Sequence, residues 1–156
     1  MTGVQTCALP IFLPIGVADI KKEGSDVTVV TFGKISKVAM AAARELEKEN
    51  ISAEVIDLRT VRPIDYATVI ESVKKTNRLV IVEEAWPLAS ISSEIAYMVQ
   101  RNAFDYLDAP IKRVTTADVP LPYAPTLIDA SLPNLTRRSE EHTSELQSLR
   151  HLVCRL

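Results

Sequence analysis

The sequence predicts an α/β domain whose open, mostly parallel sheet is covered by helices on both faces in three layers, with one antiparallel edge strand. Short runs of apolar, largely β-branched residues recur along the chain, and segments with apolar residues three and four positions apart alternate with them. Strands that are apolar throughout are buried on both faces, which is the arrangement of parallel sheets. No internal repeat interrupts the alternation, so we expect a single domain.

The first elements are predicted from residues 16–58. The short segment 16–20, the turn-rich stretch 21–26 and the apolar run 27–32 together predict a β-hairpin. Residues 34–49 predict an amphipathic helix and 53–58 a second buried strand. The helix has its apolar residues on one face: Ile35, Val38, Ala39, Ala42 and Leu46.

The alternation continues through the second half of the chain. A helix is predicted over 65–75, a third buried strand over 79–83 and another helix over 91–101. A last strand is predicted over 111–115, before a proline-rich stretch.

The two ends of the chain differ from its interior and hold both cysteines and both histidines, Cys7, His142, His151 and Cys154. Residues 2–11 and 138–156 resemble in-frame translations of a sequencing-library adapter in its two orientations. We therefore expect residues 1–11 and 138–156 to be artefacts and the natural, truncated domain to span 12–137. The alternative is a flexible N-terminus and a short C-terminal helix.

The composition of the interior excludes several classes of function. Residues 12–136 contain 14 basic and 17 acidic side chains, a net charge of −3 without any basic run, which is unsuitable for nucleic acid. No apolar run reaches the ~18 residues that cross a bilayer. The interior has no cysteine, which argues against a disulfide scaffold or a thiolate metal site.

Loops after the strands are the expected place for ligands in an open sheet. Gly33 follows the strand 27–32 where backbone N–H groups at a helix start could receive a phosphate. A single glycine lacks the spacing of a dinucleotide fingerprint, so we favour a tight turn with Ser36 capping the helix.

The loop 57–65 contains two arginines, Arg59 and Arg62, which could clamp a carboxylate or a phosphate. We favour the interpretation that Asp65 caps the next helix, Pro63 rigidifies the loop, and the arginines bind acidic residues or carbonyl groups across an interface.

Two further loops contain polar or aromatic candidates. Glu83 and Glu84 could divide acid and base roles, but neighbouring residues of a strand point to opposite faces, which favours capping or a contact between subunits. Tyr123 lies among three prolines, in a stiff loop after Asp118 that suits docking to another surface or covering the domain's own sheet.

An ordered set of motifs carries a resemblance to a known family. LPIG (13–16), VIDLRTVRPID (55–65), VEEAWP (82–87), LDAPIKRVT (107–115) and DVPLPYA (118–124) resemble the C-terminal domain of 2-oxo acid dehydrogenase beta subunits, most strongly those of pyruvate dehydrogenases. The resemblance covers the whole interior and implies the transketolase C-terminal domain fold.

The resemblance implies a parent enzyme that decarboxylates pyruvate and reductively acetylates lipoyl groups. In that family thiamine diphosphate and Mg²⁺ are bound by the alpha subunit and the N-terminal domain of beta, outside this chain. No catalytic, cofactor-binding or metal-binding residue is therefore predicted here, and the fragment alone is expected to be inactive. The source is expected to be a bacterial cytoplasm, or a mitochondrial matrix if it is eukaryotic.

The implied role of this domain is to build an α₂β₂ assembly and to dock the peripheral subunit-binding domain of the acetyltransferase. Asp108 matches an acidic residue that receives basic side chains of that small module, or else it caps a loop. The family's final helix, expected after residues 132–136, is replaced in this sequence.

Three alternatives to this assignment stay open. They are a branched-chain 2-oxo acid dehydrogenase beta subunit, a transketolase or deoxyxylulose-phosphate synthase relative, and an autonomous nucleotide-binding module that uses Gly33 and the arginine loop.

Overall fold

The computed structural model describes residues 13–133. The stretches predicted to derive from an adapter, 1–11 and 138–156, lie outside the described residues, and with them all cysteines and histidines of the chain. Their assignment and the domain bounds 12–137 stay predictions.

The described residues form an α/β domain with a five-stranded sheet. Its strands are β1 (Asp19–Lys22), β2 (Val27–Thr31), β3 (Ala53–Asp57), β4 (Leu79–Val82) and β5 (Lys112–Val114). The helices are α1 (Ser36–Lys48), α2 (Tyr66–Thr76), α3 (Ile91–Ala103) and α4 (Pro125–Ser131). The predicted fold class is confirmed, since only β1 pairs antiparallel with its neighbour.

The predicted hairpin between β1 and β2 is wrong. The strand order is β1-β3-β2-β4-β5, so β3 lies between the two. The connecting turn crosses the start of β3. There the backbone carbonyl of Ser52 accepts hydrogen bonds from the backbone N–H groups of Ser25 (3.1 Å) and Asp26 (2.9 Å). All five residues of β2 are buried, which requires a neighbour on each side, whereas the half-exposed β1 suits an edge.

Each face of the sheet packs against its own helices. Alternate strand residues such as Val29 and Val55 contact the apolar side of α1. Their neighbours, among them Val30 and Ile56, contact α2 and α3 on the opposite face. The predicted three layers are therefore present, with two separate apolar clusters divided by the sheet.

The start of α1 differs from the prediction that Ser36 caps it. A 3-10 turn at Gly33–Ile35 precedes the helix, so Ser36 is already its first residue. The Ser36 hydroxyl donates to the Gly33 carbonyl (2.8 Å) instead of accepting from a helix N–H group. Gly33 has φ of 69°, which agrees with the predicted tight turn.

Helix α4 was not predicted, because the prolines before it indicated only a loop. Pro125 occupies the first turn of the helix, where a missing N–H group removes no intrahelical hydrogen bond. No helix among residues 13–133 has the length and apolar character needed to span a membrane.

Candidate interaction surface

The loops at the carboxyl ends of the parallel strands expose many large apolar side chains. We call this the carboxyl-edge surface. The segment before β1 belongs to it because β1 runs antiparallel, which places its start beside the end of β3. Its exposed apolar residues are Leu13, Ile15, Val17, Val61, Trp86, Leu88, Val119, Leu121 and Tyr123. Such a concentration of exposed apolar residues marks an interaction site.

The arginine loop after β3 is held by the segment before β1. The Thr60 hydroxyl accepts from the Gly16 N–H group (3.1 Å) and donates to the Pro63 carbonyl (2.9 Å). Gly16 has φ of 78°, and a Cβ atom there would lie 2.7 Å from Cγ of Pro63, so this contact requires glycine. The peptide bond between Arg62 and Pro63 is cis.

The two arginines of this loop have different surroundings. Arg59 lies 2.6 Å from the Asp19 carboxylate and takes a left-handed backbone with φ of 57°. The pKa of Asp19 is lowered, most by the hydrogen bond from Lys21; burial opposes this, and the ion pair with Arg59 lowers the pKa further. Arg62 is exposed and forms no hydrogen bond or ion pair within residues 13–133. Arg62 is therefore the arginine of this loop whose positive charge is exposed to solvent.

Asp65 caps α2, as predicted. One of its carboxylate oxygens accepts from the Thr68 N–H group (3.1 Å), and the other accepts from the Thr68 hydroxyl (2.7 Å) and from the Ala18 N–H group (3.0 Å). Burial alone would raise the pKa of Asp65, but these hydrogen bonds outweigh it and lower the pKa. The same side chain thus starts a helix and fixes the segment before β1.

We expect Asp65→Ala to lower the free energy of unfolding by about 1 kcal/mol at neutral pH, as for the loss of a helix cap. Because the folded-state pKa is depressed, this contribution is present above the unfolded pKa and disappears as the pH falls through the folded value. Urea unfolding at pH 7 and below about pH 4 should show the difference between the proteins shrinking in acid. Asp118→Ala, at an exposed carboxyl group, is the control. A loss at Asp65→Ala that is the same at both pH values would contradict a role for the ionised carboxylate.

Glu83 and Glu84 point to opposite environments, as their adjacency predicted. Glu83 is 0% exposed and accepts from the N–H group of Ser92 (3.1 Å) and from its hydroxyl. It therefore holds the start of α3 to the end of β4, inside the domain rather than on its surface. Glu84 is exposed at the carboxyl edge. The two carboxyl groups do not share a site.

Arg113 of β5 also binds the start of α3 and the loop before it, and the sequence analysis missed this residue. Its guanidinium donates to the Ser93 hydroxyl (2.5 Å) and to the Pro87 carbonyl (3.0 Å). Trp86, 55% exposed, donates from its indole N–H to the Val119 carbonyl (3.1 Å). These bonds tie the loops after β4 and β5 together, which presents the tryptophan in a fixed position. Tyr123, in the same loop as Val119, is 100% exposed.

Asp108 lies at the opposite, amino edge of the sheet. Its backbone N–H donates to the carbonyl of Asn77 (2.9 Å), just before β4, and its side chain is exposed. Phe104 and Tyr106 are exposed beside it in sequence, and the Lys74 ammonium lies 5.7 Å from the Tyr106 ring centre. The structure therefore separates Asp108 from the arginine loop, Glu84 and Tyr123, and identifies two candidate surfaces instead of one.

Comparison with known proteins places this domain in a family. A family model described as transketolase, C-terminal domain, matches residues 16–137, and the chain belongs to that family. In a solved structure titled "Split gene transketolase, inactive beta4 tetramer", the similar region has a TM-score of 0.67 and 30% sequence identity, and covers 78% of this chain and 38% of that one.

The similar curated proteins share a more specific name. The chain is 56% identical over 122 residues to the pyruvate dehydrogenase E1 component subunit beta of Rickettsia felis, covering 78% of this chain and 37% of the relative. It is 54% identical over 120 residues to the mitochondrial subunit of that name from Dictyostelium discoideum, covering 77% and 34%. The chain thus spans about a third of the length of these relatives, and the family resemblance predicted from the motifs is confirmed.

Proposed function

We propose that this chain is the C-terminal domain of a pyruvate dehydrogenase (acetyl-transferring) beta subunit and that it serves subunit assembly and docking. The observation that supports this proposal is the identity of more than half of the aligned residues with beta subunits of that name, across nearly the whole described domain. In the parent enzyme, pyruvate is decarboxylated and lipoyl groups are reductively acetylated.

Thiamine diphosphate and Mg²⁺ are proposed cofactors of the parent enzyme, bound outside this chain. Among residues 13–133, no group of three or more histidine, cysteine, aspartate or glutamate side chains could hold a metal ion. Because the cofactor site is proposed to lie outside this chain, no catalytic step is assigned to these residues. The domain's proposed contribution is to the assembly.

The carboxyl-edge surface is the proposed contact with the other subunits, the alpha chain and a second beta chain. Its apolar side chains lie on loops fixed by hydrogen bonds, as for Trp86 with Val119. Fixed loops lose little conformational entropy when they bind. Arg62, Glu84 and Tyr123 are the exposed predicted residues of this surface, and Arg59, Asp65 and Glu83 support it from within.

The amino-edge surface around Asp108 is proposed to receive the peripheral subunit-binding domain of the acetyltransferase. Asp105 and Asp108 are exposed there together with Phe104 and Tyr106. A basic module suits two carboxylates beside aromatic rings, because opposite charges steer the encounter and aromatic side chains supply buried area.

We expect Asp108→Lys to weaken binding of the acetyltransferase's subunit-binding domain by at least tenfold, since it replaces an attraction to basic side chains with a repulsion. Calorimetric titration of the complete beta subunit, assembled with its alpha partner, measures the affinity. Glu45→Lys, an equal charge change on the exposed side of α1, should leave the affinity unchanged. Equal losses in both variants would show a general charge effect and contradict a site at Asp108.

The substrate is tested with the complete beta gene expressed together with its alpha partner. Decarboxylation rates with pyruvate should exceed those with branched-chain 2-oxo acids, and the opposite preference would overturn the pyruvate assignment. The proposed location is a bacterial cytoplasm, or the mitochondrial matrix if the source is eukaryotic. Relatives of both kinds share the aligned region, since the Dictyostelium relative is named mitochondrial and the Rickettsia relative is bacterial.

A further inference from the structure

The helix that starts at Gly33 has no acceptor for its first two N–H groups. The 3-10 turn Gly33–Ile35 runs directly into α1, so the two form one continuous helix. Phe32, at the capping position, forms no side-chain cap. Within residues 13–133 no hydrogen bond uses the N–H groups of Gly33 and Lys34, which at a helix start also lack an acceptor in the helix itself.

The other two long helices begin at carboxylates of the chain. Asp65 accepts from the N–H group of Thr68 at the start of α2, and Glu83 accepts from that of Ser92 at the start of α3, each at 3.1 Å. A helix N-terminus has a partial positive charge, which such a carboxylate stabilises. The turn before α1 contains no acidic residue. Its charged side chain is Lys34, which is exposed and forms no ion pair with another described residue.

A buried hydroxyl group without a partner lies on the same side of the sheet as this helix start. Thr31, the last residue of β2, is 0% exposed, and its Oγ1 atom has no hydrogen-bond partner among the described residues. Side chains alternate along a strand, and Val27 and Val29 pack on the α1 side, so Thr31 faces that side too. The helix begins over this face two residues later, and a Cβ atom at Gly33 would meet no atom within 4 Å. Buried hydroxyl groups nearly always have a partner, so this one points to a ligand.

Gly33 also lies where open α/β sheets bind ligands. From β2 the chain passes through α1 on one face of the sheet, and from the neighbouring strand β4 it passes through α3 on the other face. The two loops therefore leave adjacent strands towards opposite faces, which opens a crevice at the carboxyl ends of these strands. The helix start at Gly33 borders this crevice.

We propose that this helix start binds one phosphate group. The N–H groups of Gly33 and Lys34 and the hydroxyl of Thr31 donate to its oxygens, and the Lys34 ammonium supplies the opposite charge. All three groups can donate and have no acceptor, so the ligand is an acceptor, and a phosphate group offers three oxygens to three donors. The single glycine suits one phosphate group rather than the pyrophosphate of a dinucleotide.

NMR of the backbone amides of the whole chain tests this site, by titration with inorganic phosphate against potassium chloride at equal ionic strength. The signals of Gly33 and Lys34 should shift and saturate in phosphate alone. Thr31→Val, which nearly keeps the side-chain shape without the hydroxyl, should raise the dissociation constant about tenfold, because a hydrogen bond to a charged group is lost. Lys34→Gln should raise it about threefold, as for an exposed charge.

Thr116→Val is the matched control. Its buried hydroxyl also has no partner among the described residues, but it follows β5, two strands from β2, so its loss should leave the dissociation constant unchanged. Circular dichroism shows whether each variant is folded, and Lys34→Gln, at an exposed side chain, tests the site if Thr31→Val is not. No saturable shift at Gly33 and Lys34, or equal effects of Thr31→Val and Thr116→Val, would overturn the proposal.

Two further titrations identify the source of the phosphate group. Adenosine diphosphate that binds more tightly than inorganic phosphate indicates a phosphate carried by a nucleotide, and equal or weaker binding indicates free phosphate. Acetate that saturates the same signals with equal affinity would overturn the assignment to phosphate. Because no activity and no partner subunit is measured, these outcomes are independent of the decarboxylation assay that tests the proposed function.

Discussion

Glu83→Ala is expected to lower the free energy of unfolding by about 3–4 kcal/mol. The substitution leaves the buried N–H group of Ser92 without its acceptor, which costs about 1–3 kcal/mol, and it removes the hydrogen bond from the Ser92 hydroxyl as well. It also opens a cavity where a fully buried side chain stood. Urea-induced unfolding measures the loss, and Glu83→Gln, which keeps one accepting oxygen, should lose about half as much.

Glu84→Ala is the matched control for this prediction. Its side chain is exposed one residue further along the chain, so its removal should change the free energy of unfolding by less than about 0.5 kcal/mol. Trp86, the only tryptophan, gives a local signal from the loop that Glu83 anchors. Its emission should shift to the red in Glu83→Ala and stay unchanged in Glu84→Ala. Equal stabilities of the two variants would show that the cap contributes nothing.

The contrast between Asp65 and Glu83 shows which polar contacts can be predicted from a sequence. Asp65 accepts from the N–H group three residues later, which is a local rule of helix starts. Glu83 caps α3 across a loop: its carboxylate accepts from the N–H group of Ser92, which lies nine residues later in the chain. Its partner depends on the path of that loop and on Arg113 from another strand. Local sequence patterns record neither the path of the loop nor the position of Arg113. The sequence therefore left two roles open for Glu83, capping and a contact between subunits.

Buried polar groups of the sheet illustrate the same limit. Thr28 lies among the buried valines of β2, and its hydroxyl lies 2.6 Å from the hydroxyl groups of both Ser72 and Thr76 on α2. The strand and the helix were each predicted from their apolar residues, because burial leaves a periodic pattern. The register of one against the other is set by contacts between residues more than forty positions apart, which no local period records.

Prediction of the candidate surfaces was partial for a related reason. The motifs identified the arginine loop, Tyr123 and Asp108, but chain order alone does not show that Asp108 precedes a parallel strand and so lies at the other edge of the sheet.

Gly24→Ala is expected to lower the free energy of unfolding by about 3 kcal/mol, because the crossing of the turn over β3 leaves no room for a side chain. A Cβ atom at Gly24 would lie 2.3 Å from the backbone carbon of Ala53 and 2.3 Å from the backbone nitrogen of Glu54. Backbone must move to relieve such a contact, and the hydrogen bond from the Gly24 N–H to the Glu54 carboxylate (3.3 Å) would be disturbed with it.

Gly33→Ala separates this steric effect from the conformational cost of replacing a glycine. Gly33 has φ of 69°, but a Cβ atom there would meet no atom within 4 Å, so only the left-handed backbone opposes alanine, at about 1 kcal/mol. Gly24 has no positive φ, and its loss should therefore be the larger and come from the clash alone. Urea unfolding of both variants gives the comparison. If Gly24→Ala is the less destabilised of the two, the turn does not cross β3 as closely as described, and a hairpin between β1 and β2 becomes the better account of this edge.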